Sequence, residues 1–278
     1  MKDTAKTVVV GIADKQPSAL RFAIREAVAM NATLRVVHAA GIPEEPFAGV
    51  AVRREIESAA RAVLDDAKQF VDDEAPGLDA EFVLAETIPV GALNRAAEGA
   101  RLLVLGADDV SWYERLLRTR VAGHLALHAP CPVVVVPEVA YPNGSDGDVV
   151  VALDGGTSAA GPLRFGFEQA DIRGGVLHVV HAVPPATLAA DAVEIRANVA
   201  EVLAGWREEF PGVSVNDVVS IGDPRDVITR ATATARLLIV GRPQNHTLPF
   251  ALTRPLAMTV LRRANCPLAV VPSEYQGA

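Results

Sequence analysis

The chain has 278 residues and a formal net charge of −8, with half of its residues hydrophobic and 22% charged. That composition excludes a disordered or fibrous chain. It also excludes an electrostatic footprint for nucleic acid, because residues 1–140 sum to −5 and residues 141–278 to −3. Two cysteines cannot build a disulfide framework or a zinc site, and 5% aromatics leave no ladder for stacking on bases.

In chain order the sequence alternates apolar runs with helical patterns. Val8–Ile12 reads as a buried strand and Ser18–Met30 as a helix. Leu34–Ala39 is a strand, Val52–Glu74 a long amphipathic helix, and Ala80–Ala85 a third strand. Val90–Glu98 is a helix, Leu102–Gly106 a strand, Thr119–His128 a helix and Val133–Val136 a last strand. No apolar run approaches the roughly 18 residues a bilayer span needs. The start, MKDTAKTVVVG, has no signal-peptide core. The expectation is a soluble, cytoplasmic protein.

The series then repeats from Val149 to Val271. ARLLVLG (Ala100–Gly106) returns as ARLLIVG (Ala235–Gly241), and APCPVVVVP (Ala129–Pro137) as ANCPLAVVP (Ala264–Pro272). Both pairs are 135 residues apart. RVVHA (Arg35–Ala39) matches HVVHA (His178–Ala182) at 143, and TVVVGIA (Thr7–Ala13) matches DVVVALD (Asp148–Asp154) at 141. The drift means that the copies differ by small insertions. Two domains are expected, 1–140 and 148–278, joined by a turn-rich linker at 141–147.

Continuous Val/Leu/Ile strands between helices imply parallel sheets covered on both faces. Short βα alternation implies right-handed crossovers and an open doubly wound α/β fold. Ligands of such sheets bind beyond the C-terminal ends of the strands. The places to search follow Ile12, Ala39 and Gly106, and then Leu153, Ala182 and Gly241.

Several chemistries are missing. No G-x-G-x-x-G follows the first strand, and there is no P-loop and no G-x-S-x-G elbow. His124 and His128 lie four apart on one helix and could share a metal, but no third ligand can be named. His38 and His181 end equivalent strands. Either a shared role in the two copies or the capping of local carbonyls explains them. Cys131 and Cys266 precede prolines at buried strands and read as small core residues. No acid, base or nucleophile is placed for a transferase, so no enzyme activity is expected.

Taken together, the strand–turn at the front, the strand–Gly–loop–helix–A-x-C-P-[VL]-x-VVP at the back, and about 140 residues per copy resemble the universal stress protein family in its tandem form. The resemblance implies two tandem Rossmann-like, adenine nucleotide alpha hydrolase-like domains forming a pseudo-dimer. It implies that the last strands, Val133–Val136 and Leu268–Val271, pair antiparallel within the chain.

Members of the family that bind ATP carry G-x2-G-x9-G-[S/T] after the fourth strand and an acidic residue after the first. Glycines let backbone N–H groups approach phosphates, and a hydroxyl at a helix N-terminus favours an anion. In the first copy Gly106 fits. The second glycine falls on Asp109, the G-[S/T] pair on Thr119-Arg120, and the acidic position on Ala13 with Asp14 one residue late. In the second copy Gly241 and Asp154 fit, but the other positions hold Gln244 and Arg254-Pro255. Arg242 and Arg254 either bind an anion or fill its place, with filling favoured.

The residual nucleotide site is therefore Asp154, Gly241, Arg242, Gln244 and Arg254. No cofactor is expected, and ATP is the alternative. The expected role is stress-related binding or regulation without tight ATP binding. The rivals are a nucleotide binder using the second copy alone, and a scaffold whose contact surface is the Trp112-Tyr113-Glu114-Arg115 loop, beside the Arg115, Arg118 and Arg120 group. A homo-oligomer would use the long second helices, Val52–Glu74 and Ala192–Phe210. Neither nucleic acid nor membrane is an expected partner.

Overall fold

A computed structural model describes residues 6–41, 49–107, 120–138, 148–153, 159–183, 189–231, 235–242 and 266–277. The chain divides into two compact units, Met1–Ala140 and Tyr141–Gly277. Each is described in turn.

In the first unit the elements are β1 (Thr7–Ile12), α1 (Pro17–Ala29), β2 (Thr33–Ala39), α2 (Val50–Glu74), β3 (Ala80–Ala85), α3 (Pro89–Ala96), β4 (Leu102–Ala107), α4 (Arg120–His128) and β5 (Val133–Pro137). Every described pairing is parallel, in the order β3-β2-β1-β4-β5. The order reverses at β1, which lies between β2 and β4. That switch point is where a doubly wound sheet opens its crevice.

β1 and β5 are buried at every position, as their valine runs require in a sheet covered on two faces. Gly11 has a packing role. A Cβ built there would lie 2.7 Å from Leu93 Cδ2, so the glycine lets α3 close on the sheet. Proline opens α1 and α3, where its missing N–H costs no intrahelical bond. On α2 the buried residues Ala60, Leu64, Ala67 and Val71 recur at spacings of four, three and four, one stripe of a helix whose remaining faces carry charge.

The second unit contains β6 (Val149–Leu153), α5 (Ala160–Arg173), β7 (Val176–Val183), α6 (Ala189–Glu209), β8 (Ser214–Ile221), α7 (Pro224–Ala231), β9 (Leu237–Gly241) and β10 (Leu268–Val271). Its described pairings are again parallel, in the order β8-β7-β6-β9-β10. Gly174 ends α5 at φ +60°, the left-handed cap that glycine adopts without strain. The core includes Leu163, Phe165, Phe167, Leu177, Leu237 and Ile239, each nearly or fully shielded from water.

The alternation read from the sequence is observed, with element ends moved by a few residues. The largest shift is at α6, which begins three residues before the expected Ala192. The linker 141–147 and the Trp112 loop, with Arg115 and Arg118, lie outside the described residues. No helix among the described residues is long and apolar enough to cross a membrane.

Candidate functional site

The expected crevice of each unit lies beyond its first and fourth strands. In the first unit Gln16 dominates that place. The residue stands immediately before α1 and is 8% exposed. Its side-chain Oε1 accepts a hydrogen bond from the Ala13 backbone N–H at 3.3 Å. Its carboxamide also lies against Gly106, where a built Cβ would sit 2.8 Å from the Gln16 Cδ. The backbone face of Gly106, which the family motif leaves open to a phosphate, thus carries a polar side chain from the β1–α1 turn.

A second internal group lies at the start of α1. The Ser18 N–H donates to Glu138 Oε1 at 3.4 Å. The carboxylate therefore lies at the helix end that attracts anions. Glu138 follows the last strand directly, so β5 delivers it there. The same carboxylate adds to the field that holds the Arg21 guanidinium above its ordinary range, after the larger effect of the hydrogen bond to Glu74.

The second unit fills the corresponding places differently. Ser18 and Gly161 occupy equivalent positions in the first helices, at the 143-residue offset that relates β2 to β7. The Gly161 N–H donates to the Ser273 backbone carbonyl at 3.2 Å. Glycine is required there, because a Cβ would fall 2.0 Å from the Pro272 carbonyl oxygen. Over Gly241, the described atom nearest to a built Cβ is Pro162 Cγ at 3.3 Å. Gly241 is exposed, whereas Gly106 is half-buried.

Arg242 is half-buried, and its backbone N–H donates to the Val271 carbonyl at 2.9 Å. Its charge helps to hold Glu274 below the usual carboxylate range, although a backbone N–H and the Ser273 hydroxyl contribute more. The cation thus faces a carboxylate of its own unit. Asp154, Gln244 and Arg254 lie outside the described residues, as do the first copy's Asp109 and Thr119. Of the expected set, Gly241 and Arg242, neighbours in the sequence, lie among the described residues.

The strand-end histidines cap carbonyls. His38 Nδ1–H donates to the Ile12 carbonyl at 2.9 Å, and His181 Nδ1–H to the Leu153 carbonyl at 3.1 Å. Each pair also shares one register position between neighbouring strands. The bond satisfies a carbonyl at the end of the central strand of each unit.

Both cysteines are buried. Burial pushes the Cys266 thiol up to about 12, against a smaller opposing backbone hydrogen bond. It is a packed thiol rather than a nucleophile.

Among the described residues, a cavity lies beside the first helix of each unit. One of about 310 Å³ is bounded by Arg21, Arg25, Val28 and Glu74. The other, about 370 Å³, is bounded by Arg164, Trp206, Glu274 and Tyr275. Beside each, an arginine of the first helix stacks on an aromatic ring of the second and bridges to a glutamate. Arg21 lies over Phe70 with Glu74 at 2.8 Å, and Arg164 over Trp206 with Glu209 at 2.9 Å. Neither cavity is lined by Gly106 or Gly241.

Sequence reasoning about the acidic position weighed Ala13 and Asp14 and passed over Gln16 and Glu138. A signal exists for the first. Gln16 precedes Pro17, which opens a helix and restricts the residue before it to extended conformations. Gln16 takes φ −131° and ψ 68° there, outside the helical region that the proline disfavours but short of fully extended.

The universal stress protein family model matches residues 4–137 and again 147–272. The chain belongs to the universal stress protein family. A universal stress protein of Mycobacterium tuberculosis (strain ATCC 25618 / H37Rv) is 27% identical over 289 residues, covering 95% of this chain and 95% of its own. Another from the same strain is 26% identical over 274 residues, with 97% of each chain covered. A universal stress protein structure from Archaeoglobus fulgidus superposes with a TM-score of 0.69 at 16% identity over 96% of both chains. This last likeness concerns the fold.

Proposed function

We propose that this tandem universal stress protein is a cytoplasmic, non-catalytic binding and regulatory module that does not hold ATP tightly. The observation that carries the reading is Gln16, buried across Gly106 and bonded to the Ala13 N–H. A phosphate approaching that glycine would have to displace a side chain already satisfied by the backbone. It would also meet Glu138 at the neighbouring helix end. Like charges in a partly desolvated crevice repel by several kcal/mol unless a cation intervenes.

Titration of the purified chain with Mg-ATP tests the reading, after a check for nucleotide carried through purification. No saturable binding below about 1 µM, which corresponds to roughly −8 kcal/mol, is expected. A submicromolar dissociation constant overturns the proposal.

A second reading is favoured by Gly241. Its backbone face is exposed, and among the described residues a built Cβ there comes within 4 Å of Pro162 alone. A nucleotide held by the second unit would use Asp154 toward the nucleoside and Gly241 and Arg242 toward the phosphates. Asp154→Ala then abolishes binding. Unchanged affinity in that variant removes this reading.

A further inference from the structure

Outside the crevices, α4 carries a pair of imidazoles with the makings of a metal site. His124 and His128 are one helical turn apart, so they share a face. Both are exposed. Their ring centroids are 4.3 Å apart with the planes inclined by 22°.

The tautomer of His128 follows from one contact. Its Nδ1 is 2.9 Å from the His124 backbone oxygen. A carbonyl can only accept, so Nδ1 carries the hydrogen and the neutral ring presents its lone pair at Nε2. A hydrogen bond from the far nitrogen to a carbonyl is the usual way of orienting a metal-bound imidazole. Here the helix supplies both the ligand and its support.

Two nitrogens bound to one tetrahedral cation at about 2.0–2.1 Å stand roughly 3.3 Å apart. The rings stack with centroids 4.3 Å apart, which keeps their lone pairs roughly parallel, so convergence needs one ring to turn, and an exposed imidazole changes rotamer within nanoseconds. Turning His124 while His128 stays anchored brings both lone pairs onto one ion. The helix ends at His128, and its negative dipole end favours a cation nearby.

We propose that His124 and His128 form a binding site for a divalent transition cation of the kind that prefers imidazole, namely Zn²⁺, Cu²⁺ or Ni²⁺. Mg²⁺ and Ca²⁺, which select oxygen ligands, are excluded by the donor set. Among the described residues there is no group of three or more His, Cys, Asp or Glu that could hold a metal. The described residues therefore supply two protein ligands. The site belongs to the first copy alone, because the 135-residue offset puts Thr259 and Arg263 at the equivalent positions.

The experiment titrates the full, tag-free chain with Zn²⁺ and Cu²⁺ by calorimetry, with Mg²⁺ as the control. Electron paramagnetic resonance of the Cu²⁺ form reads the nitrogen ligands. The variant His124→Thr/His128→Arg carries the second copy's residues, and His124→Ala is the milder truncation. Both positions are exposed, and circular dichroism confirms that each variant folds. The expected result is one Zn²⁺ per chain, tighter Cu²⁺ binding, two nitrogens in the spectrum, and a loss of about tenfold or more in affinity in either variant. A metal-dependent rise in thermal midpoint should vanish with it. Absence of saturable Zn²⁺ and Cu²⁺ binding, or equal affinity in wild type and variants, overturns the proposal.

Discussion

The same crevice is finished by different chemistry in the two units. In the first, a glutamine side chain covers the glycine near the end of β4 and a glutamate carboxylate lies at the first helix. In the second, the glycine that ends β9 has a proline ring for its described neighbour, and a backbone carbonyl takes the helix N–H. A helix N-terminus must be satisfied, but the fold does not dictate by what. The choice matters for function. A carboxylate delivered by the chain opposes an incoming anion, whereas a carbonyl delivered by the chain carries no net charge. Two copies with one topology can thus differ in what they admit.

The sharpest way to break this comparison is at Gly161. The built Cβ falls 2.0 Å from a backbone oxygen, which has no rotamer to escape into. Gly161→Ala should destabilise by about 2–3 kcal/mol. Ser18→Ala, at the equivalent position of the first unit, should change stability by roughly 0.5 kcal/mol or less. Denaturant midpoints of the two variants decide. Equal effects would mean that the tail after β10 yields as easily as a side chain.

The alkaline limit offers a second test. An unfolded thiol ionises near 8.5, while the Cys266 thiol is pushed up to about 12. Stability that is fully present below the lower value is lost as the pH climbs toward the higher one, because the unfolded chain releases its proton first. Cys266→Ala should flatten that decline. In the native protein at neutral pH, Cys266 should react with a thiol reagent only on unfolding; rapid native labelling would contradict its packing.

A smaller effect is expected at the paired arginine stacks. Arg21→Ala and Arg164→Ala should each cost about 1 kcal/mol, through lost stacking and a partly exposed ion pair. The hydrogen bond from Arg21 holds the Glu74 carboxylate below its ordinary range. Its contribution is present above the ordinary carboxylate value and disappears as the pH falls through the lowered one. Urea midpoints measured down the acid range should show a shallower decline in Glu74→Gln than in wild type.

A stability change of roughly 1 kcal/mol or less should accompany Gln16→Ala, since water can take over its bond to Ala13. Its interest lies in access. The variant should bind Mg-ATP measurably better than wild type at the first crevice, though still weakly, because Asp109 and Thr119 stand where the motif has glycine.

The fold was readable because its signals are local. Valine runs such as Val133–Val136, a proline at the start of α1 and α3, and the four-three-four stripe of α2 each speak within a few residues. The repeat made the reading redundant. The crevice was only half legible. Gly106 and Gly241 could be placed by spacing, and the two strand-end histidines by equivalence. What fills the space could not, because Gln16 meets Gly106 and Glu138 meets Ser18 across separations of 90 and 120 residues. Such contacts are set by how a turn and a strand end are aimed, which periodicity does not encode. Tyr275, whose hydroxyl donates to Glu168 at 2.7 Å, was invisible for the same reason.

The measurement that tests the central claim most directly is a calorimetric titration of Mg-ATP into wild type and Asp154→Ala side by side. The account predicts no saturable submicromolar binding in either protein. Submicromolar binding that survives Asp154→Ala would place a nucleotide in the first crevice, and Gln16 would then not close it.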